Sequence, residues 1–308
     1  MKTLCIYLIF PGFAATAVAG MLASWVERKL TARIQWRVGP PWYQSFADIL
    51  KLLAKETVVP RGCSRGLFAA APFAGLAAVA LVASMLGASC LDPARGFVGD
   101  LLVIVYLLVL PPLALIAGGA ASRNTLASLG ASREMKLMIA YEVPMTLALL
   151  VAVIKAGVTI NTGAIVAFQR LHGAFLGSFS GALAFAAALL CVQAKLGFAP
   201  FDIAEAETEL SSGPLIEYSG SMLAAFRLTK MMLLVVLPAL LLALFAGGAR
   251  FHGWGIVRSL VEYGAVLLLV TLIKNTNPRL RIDQALAFFW GPVTAAAGGA
   301  VLLALMGY

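Results

Sequence analysis

Apolar runs recur along this chain, separated by short polar segments. A helix needs about 20 predominantly apolar residues to cross the hydrocarbon core of a bilayer, and it satisfies its own backbone there. The runs therefore predict eight transmembrane helices, at about 4–26, 67–90, 99–120, 135–155, 176–196, 216–246, 254–273 and 286–306. Stretches such as "FAGLAAVALVASMLGA" lack the period-2 alternation of a transmembrane barrel. The expected fold is an all-α polytopic membrane protein, with residues 1–308 forming a single integral membrane domain. The sixth run is long enough to tilt or to extend beyond the bilayer.

One polar loop has its own pattern. "SFADILKLLAKE" places Phe46, Ile49, Leu50 and Leu53 at i, i+3, i+4 and i+7. Asp48, Lys51 and Lys55 fall elsewhere on the helix. This predicts an amphipathic surface helix over about 44–56. The N-terminus, "MKTLCIYLIFPGFAATAVAG", has the layout of a signal peptide. Its apolar run continues to Val26 and a basic loop follows, so an uncleaved first helix is expected.

Composition agrees with the pattern. The chain is 61% hydrophobic and only 12% charged, and its mean hydropathy is +0.94. Its net charge is +9. The odd-numbered loops hold 15 Lys and Arg residues, and the opposite side holds six. The charge bias puts the odd loops in the cytoplasm and both termini outside. The prokaryotic cytoplasmic (inner) membrane is the expected location. No basic–aromatic stripe or nucleic-acid module is present, so nucleic acid is not an expected partner. Internal repeats of the kind that build transporters are also missing.

One cytoplasmic loop breaks the basic rule. "APFDIAEAETELSSGPLIEYSG" carries Asp202, Glu205, Glu207, Glu209 and Glu217, five of the chain's 14 acidic residues. Pro200 and Asp202 predict a short helix here. Asp202 and Glu205 fit a D-x-x-E capping box, a structural use. Asp202, Glu205 and Glu209 would then share one helix face, with Glu207 turned away. The alternative use is proton exchange, because neighbouring carboxylates and partial burial raise one another's pKa.

Charges inside the spans have function as their default reading. Glu142 lies in "IAYEVPM", about two turns from Lys136. Arg227 and Lys230 lie one turn apart in "AAFRLTKMM". They begin well inside the sixth span, which predicts partners within the protein, Glu142 or the acidic loop, over snorkelling. Glu262 is expected to pair with Arg258 at i,i+4 near the outer surface. Cys5, Cys63, Cys90 and Cys191 are scattered, and His172 and His252 are the only histidines. Metal and iron–sulfur sites need clustered ligands, so this chain alone is expected to bind no cofactor. No phosphate loop, nucleophile elbow or metalloprotease signature occurs.

Four segments in order, "WVERKLTARIQWRVGPP", "FADILKLLAKE", "LGFAPFDIAEAETELSSGPLIEYSG" and "NPRLRIDQ", resemble one family. It is the membrane subunit shared by respiratory complex I (its subunit 1) and the energy-converting group 4 NiFe hydrogenases. The resemblance runs from Glu27 to Asp283. It implies a subunit without a redox centre that anchors a cytoplasmic peripheral arm and leads into a chain of acidic groups, the E-channel. The proton-relay and coupling residues implied are Glu142, Asp202, Glu205, Glu207, Glu209, Glu217, Arg227 and Lys230. The peripheral-arm interface implied is Glu27, Arg28, Lys29, Arg37, Asp48, Lys51, Glu56, Arg279, Arg281 and Asp283.

Partners implied are hydrogenase-like large and small subunits with the NiFe centre, iron–sulfur electron-transfer subunits, antiporter-like membrane subunits and membrane lipids. In "RVGPPWYQSFAD" the segment before the surface helix is shorter than the complex I pattern, at the border of that family's quinone entrance. The ending "GPLIEYSG" resembles the hydrogenase branch. The expected function is the anchor and coupling element of a hydrogenase-type complex, linking redox chemistry to proton or sodium translocation. The alternatives are the quinone-site subunit of complex I and a passive anchor with a docking loop.

Overall fold

The structure, a computed structural model, describes residues 7–93, 96–251 and 253–307; of Glu207 and Thr208 it describes only the backbone. Lys2, Cys5, Arg95, His252 and the Glu207 side chain lie outside the described residues.

The described chain is helical, as its hydropathy predicts. The helices are α1 (Phe13–Ile34), α2 (Gln44–Ala54), α3 (Arg65–Leu91), α4 (Asp100–Ala121), α5 (Thr125–Lys155), α6 (Thr162–His172), α7 (Phe179–Lys195), α8 (Glu207–Leu210), α9 (Gly220–Phe245), α10 (Trp254–Thr276), α11 (Ile282–Phe288) and α12 (Thr294–Leu305). A π-helical turn, Phe289–Val293, joins the last two, so they form one interrupted rod. Pro292 sits inside that turn and cannot donate to the ladder, which accounts for the widened turn.

Among the described residues six helices are long and apolar enough to cross a membrane: α3, α4, α5, α9, α10 and the α11–α12 rod. The two other expected spans differ from the rest. α7 is apolar but shorter, and of the span predicted at 4–26 α1 covers the part from Phe13 onward, residues 1–6 lying outside the described residues. α1 also continues to Ile34, so Glu27, Arg28 and Lys29 belong to a helix and not to a loop. The fourth span begins at Thr125, ten residues before its predicted start, because Asn124 caps it by accepting from the Leu126 N–H (2.9 Å). Arg133, Glu134 and Lys136 are therefore helical. α6 was not expected; Asn161 caps it in the same way.

α9 forms the centre of the bundle: 72% of its apolar window is buried, against 22% for α10 and for the α11–α12 rod. The crossing of α1 and α9 is close. A Cβ on Gly20 would lie 2.6 Å from the Met231 carbonyl oxygen, so no larger residue fits. Pro214 of the acidic loop seats against Gly130 of α5 in the same manner, with 2.6 Å between a Cβ there and Pro214 Cδ. Small residues thus let the loop press onto the bundle. On α2, Ile49 is buried, but Leu50 and Leu53 are 65% and 56% exposed. That leaves an apolar edge fit for a membrane surface.

Candidate functional site

The acidic segment is not the capped helix its sequence predicts. Residues 202–206 are irregular, and only Glu207–Leu210 and a 3-10 turn at Gly213–Leu215 are regular. Apolar side chains decide this. Phe201, Ile203, Ala204, Ala206 and Leu210 are all buried. Phe201 packs on Phe289, with ring centroids 4.8 Å apart. The Leu280 N–H donates to the Pro200 carbonyl (3.0 Å), tying the loop to the segment before α11. Side-chain burial outweighs the local capping tendency, so Asp202 and Glu205 form no capping box.

Each of the four acids whose side chains are described is instead met by a group from another element. Asp202 Oδ2 accepts from Arg279 (2.6 Å). Lys230 Nζ donates to both Glu205 oxygens (2.9 and 2.8 Å). Arg133 pairs with Glu209 (2.7 Å), and Asn124 Nδ2 donates to Glu217 (2.6 Å). The expected shared face of Asp202, Glu205 and Glu209 does not exist: the first two turn toward the bundle, and Glu209 faces out. Cations 25 to 77 residues away pair with three of the loop's acids, so those three need no nearby run of arginines.

Of the charges inside the spans, Glu142 pairs with Lys195 of α7 (2.6 Å), not with α9. The Lys195 side chain is only 2% exposed, and its ammonium lies 5.3 Å from the Tyr141 ring centroid. Lys230 finds its expected partner in the acidic loop. Arg227 does not; it is exposed and makes no ion pair among the described residues. Arg258 and Glu262 form the expected pair (2.6 Å).

Some of these groups line one cavity of about 150 Å³: Lys195, Asp202, Glu205, Arg227 and Lys230, with Glu134, beside Pro111, Pro112, Phe201 and Leu233. One water needs only ~10–15 Å³, so a small hydrated cluster fits. Glu134 is the member the sequence reading missed. It is buried at 9% exposure and makes no ion pair or hydrogen bond among the described residues. It stands two turns before Glu142 on α5. Its signal was that spacing, hidden while the helix was taken to begin at residue 135.

A second row of charges adjoins the cavity. Phe198 lies under both Lys230 (5.9 Å to the centroid) and Lys274 (4.7 Å). Lys274 pairs with Glu27 (2.7 Å), which is buried. Arg28 pairs with Asp48 (3.1 Å) and so ties α1 to α2. Lys29 is half-buried, while Arg37, Lys51 and Glu56 are exposed. Arg279, Arg281 and Asp283 join Arg133 and Glu209 around an open cleft of about 480 Å³ beside the acidic loop. Among the described residues no group of three or more His, Cys, Asp or Glu side chains is placed to hold a metal.

Two carboxylates of the one loop have opposite environments. Burial, then the neighbouring Glu205 carboxylate, raise the Asp202 pKa above the ordinary value, against the pull of Lys230 and Arg279. The hydrogen bond and charge of Arg133 lower that of Glu209. The raised group favours its proton as pH climbs past the ordinary carboxylate range; the lowered one keeps its charge as pH falls below it. Infrared titration of the protein, with Asp202→Asn and Glu209→Gln each removing one band, is expected to put Asp202 above Glu209. The reverse order would contradict the geometry.

The fold and site define a polytopic membrane subunit with a buried, charge-lined cavity beneath an acidic surface loop. The family profile for NADH dehydrogenase matches residues 6–305. The H subunit of NADH-quinone oxidoreductase from Geobacillus kaustophilus (strain HTA426) is 35% identical over 304 residues, covering 92% of this chain and 89% of the relative. That of Brevibacillus brevis (strain 47 / JCM 6285 / NBRC 100599) is 34% identical over 281 residues, covering 87% and 82%. A chain of the membrane-bound sulfane sulfur reductase, an archaeal respiratory membrane complex, superposes with a TM-score of 0.85 at 28% identity, covering 99% of this chain and 100% of that one. The chain belongs to the NADH dehydrogenase subunit 1 family. It is a membrane subunit of a multisubunit respiratory complex of the NADH-quinone oxidoreductase type.

Proposed function

We propose that this chain couples redox chemistry in a peripheral arm to proton or sodium translocation in the membrane, within a hydrogenase-type complex. The observation that carries the coupling role is the cavity: Glu134, without a partner, stands among the Glu142–Lys195, Glu205–Lys230 and Asp202–Arg279 pairs. Glu134 is the acid there with no ion pair or hydrogen bond among the described residues, so it can gain or lose a proton without breaking a pair. Charge movement in the arm above the loop would shift these pairs, and protonation of the carboxylates would follow. The open cleft of Arg133, Glu209, Arg279, Arg281 and Asp283 offers the arm a mixed-charge seat.

The redox centres, NiFe and iron–sulfur, are assigned to partner subunits. The "GPLIEYSG" ending supports the hydrogenase branch, and co-purification with a NiFe large subunit tests it. The names of the curated relatives favour a second reading, a quinone-reducing complex. Quinone-dependent, inhibitor-sensitive turnover of the purified complex would select it.

The coupling role is tested in sealed vesicles. Glu205→Gln, in a pair about one third exposed, should leave the complex assembled and its arm turning over, while Glu142→Gln strands the buried Lys195 and is compared per assembled complex. Ion uptake should fall by about a hundredfold, the lower end of what a positioned proton-transfer group contributes. Unchanged uptake would leave a docking role only.

A further inference from the structure

The end of the bundle opposite the acidic loop holds a second cavity, of about 290 Å³, lined by Cys90, Leu91, Arg170, Arg250 and Phe251. It lies where α3 ends at Leu91, α9 ends at Phe245 and α10 begins at Trp254. Span ends lie at the level of lipid headgroups. Arg170 is fixed by three carbonyls: Nε donates to Gly247 (3.3 Å), and Nη2 to Cys90 (3.0 Å) and Ala249 (2.9 Å). Carbonyls orient the guanidinium but leave its positive charge in place. The backbone N–H of Arg250 is held by Ser259 Oγ (2.7 Å), and its guanidinium makes no hydrogen bond among the described residues.

Among the described residues no carboxylate lines the cavity. The nearby acids are engaged. Arg258 holds Glu262 (2.6 Å). Asp100 accepts from the Phe97 N–H (3.0 Å) and from Thr162 (3.5 Å). Asp92, just past the end of α3, has a partner as well. One fixed guanidinium and one without a hydrogen bond among the described residues, on a wall without a described acid, fit an anion. The rim is apolar and open: Leu91 is 41% exposed and Phe251 37%, with Phe10 edge-on to Phe251 at 6.3 Å. A free anion has no use for that rim, whereas acyl chains do.

We infer that this cavity binds the phosphate of an anionic glycerophospholipid between Arg170 and Arg250, with the acyl chains lying along Leu91 and Phe251. Arginine forks suit phosphate oxygens, and basic pockets between membrane helices suit such headgroups. The site is independent of the coupling cavity.

The purified, delipidated complex is titrated with phosphatidylglycerol or phosphatidylcholine and analysed by native mass spectrometry. Wild type should retain phosphatidylglycerol preferentially. Arg250→Gln should weaken that retention about fivefold, the worth of one basic residue near an anionic headgroup. Arg250 has no side-chain hydrogen bond to lose, so folding should be spared. Arg258→Gln, on the same end but already engaged by Glu262, should leave retention unchanged. Equal retention of the two lipids, or no effect of Arg250→Gln, would overturn the inference. So would an equal loss in Arg258→Gln, which marks diffuse attraction. Displacement of the lipid by inorganic phosphate would make free phosphate the ligand and overturn it too; lipid that stays bound supports it.

Discussion

Lys195→Met is expected to be the most damaging single substitution in this chain. The side chain is 2% exposed, and its ammonium is 2.6 Å from Glu142 and stacked over Tyr141. Met fills the space but leaves the Glu142 carboxylate without its cation. Removing one member of a buried pair costs about 3–5 kcal/mol, whereas replacing both with apolar or neutral groups is often close to neutral. The Glu142 side chain is still 20% exposed, which sets the expected cost at the lower end, about 3 kcal/mol. Lys195→Met should therefore lower the yield of assembled complex on native gels and its thermal midpoint. Adding Glu142→Gln should restore most of the assembly while ion uptake stays lost. Wild-type assembly in Lys195→Met alone would show that the pair carries little, and a double variant that also pumps would remove Glu142 from the path.

Glu134→Gln should have the largest effect on coupling for the smallest effect on structure. Gln is isosteric, and Glu134 has no hydrogen bond or ion pair among the described residues to lose. Assembly and redox turnover should match wild type, while ion uptake in sealed vesicles falls by about a hundredfold. Glu134→Asp should restore part of it, because the acid is kept and only its reach shortens. Glu209→Gln is the contrast. That pair is solvent-exposed and screened by water, so uptake there should change little. Normal uptake in Glu134→Gln would mean that the cavity's one unpaired acid is not a carrier.

The spans were legible because each apolar run reports on its own burial in lipid. Their ends were less so. Asn124 starts α5 earlier than hydropathy indicates, since a capped polar turn extends the helix beyond its apolar part. That shift concealed Glu134. The amphipathic α2 and the Arg258–Glu262 pair were read correctly because both are local, set by helical spacing alone. The Asp202–Glu205 capping box was misread for the converse reason. It is a local rule applied to a segment whose conformation is set by burying Phe201, Ile203 and Leu210 against distant helices.

The sequence by itself determined the class of fold, the family and the concentration of acid in one loop. Hydropathy, helical period and motif order are properties of the chain read in one dimension. What only the tertiary structure decided is which charges meet. Lys195, counted among the 15 cations of the odd loops, is the buried partner of Glu142; Asp202 and Glu205 looked like a cap and belong to Arg279 and Lys230. Ion pairing depends on distance and desolvation, and neither is encoded by separation along the chain. The cavity that these pairs enclose exists only once α5, α7 and α9 have packed around the loop.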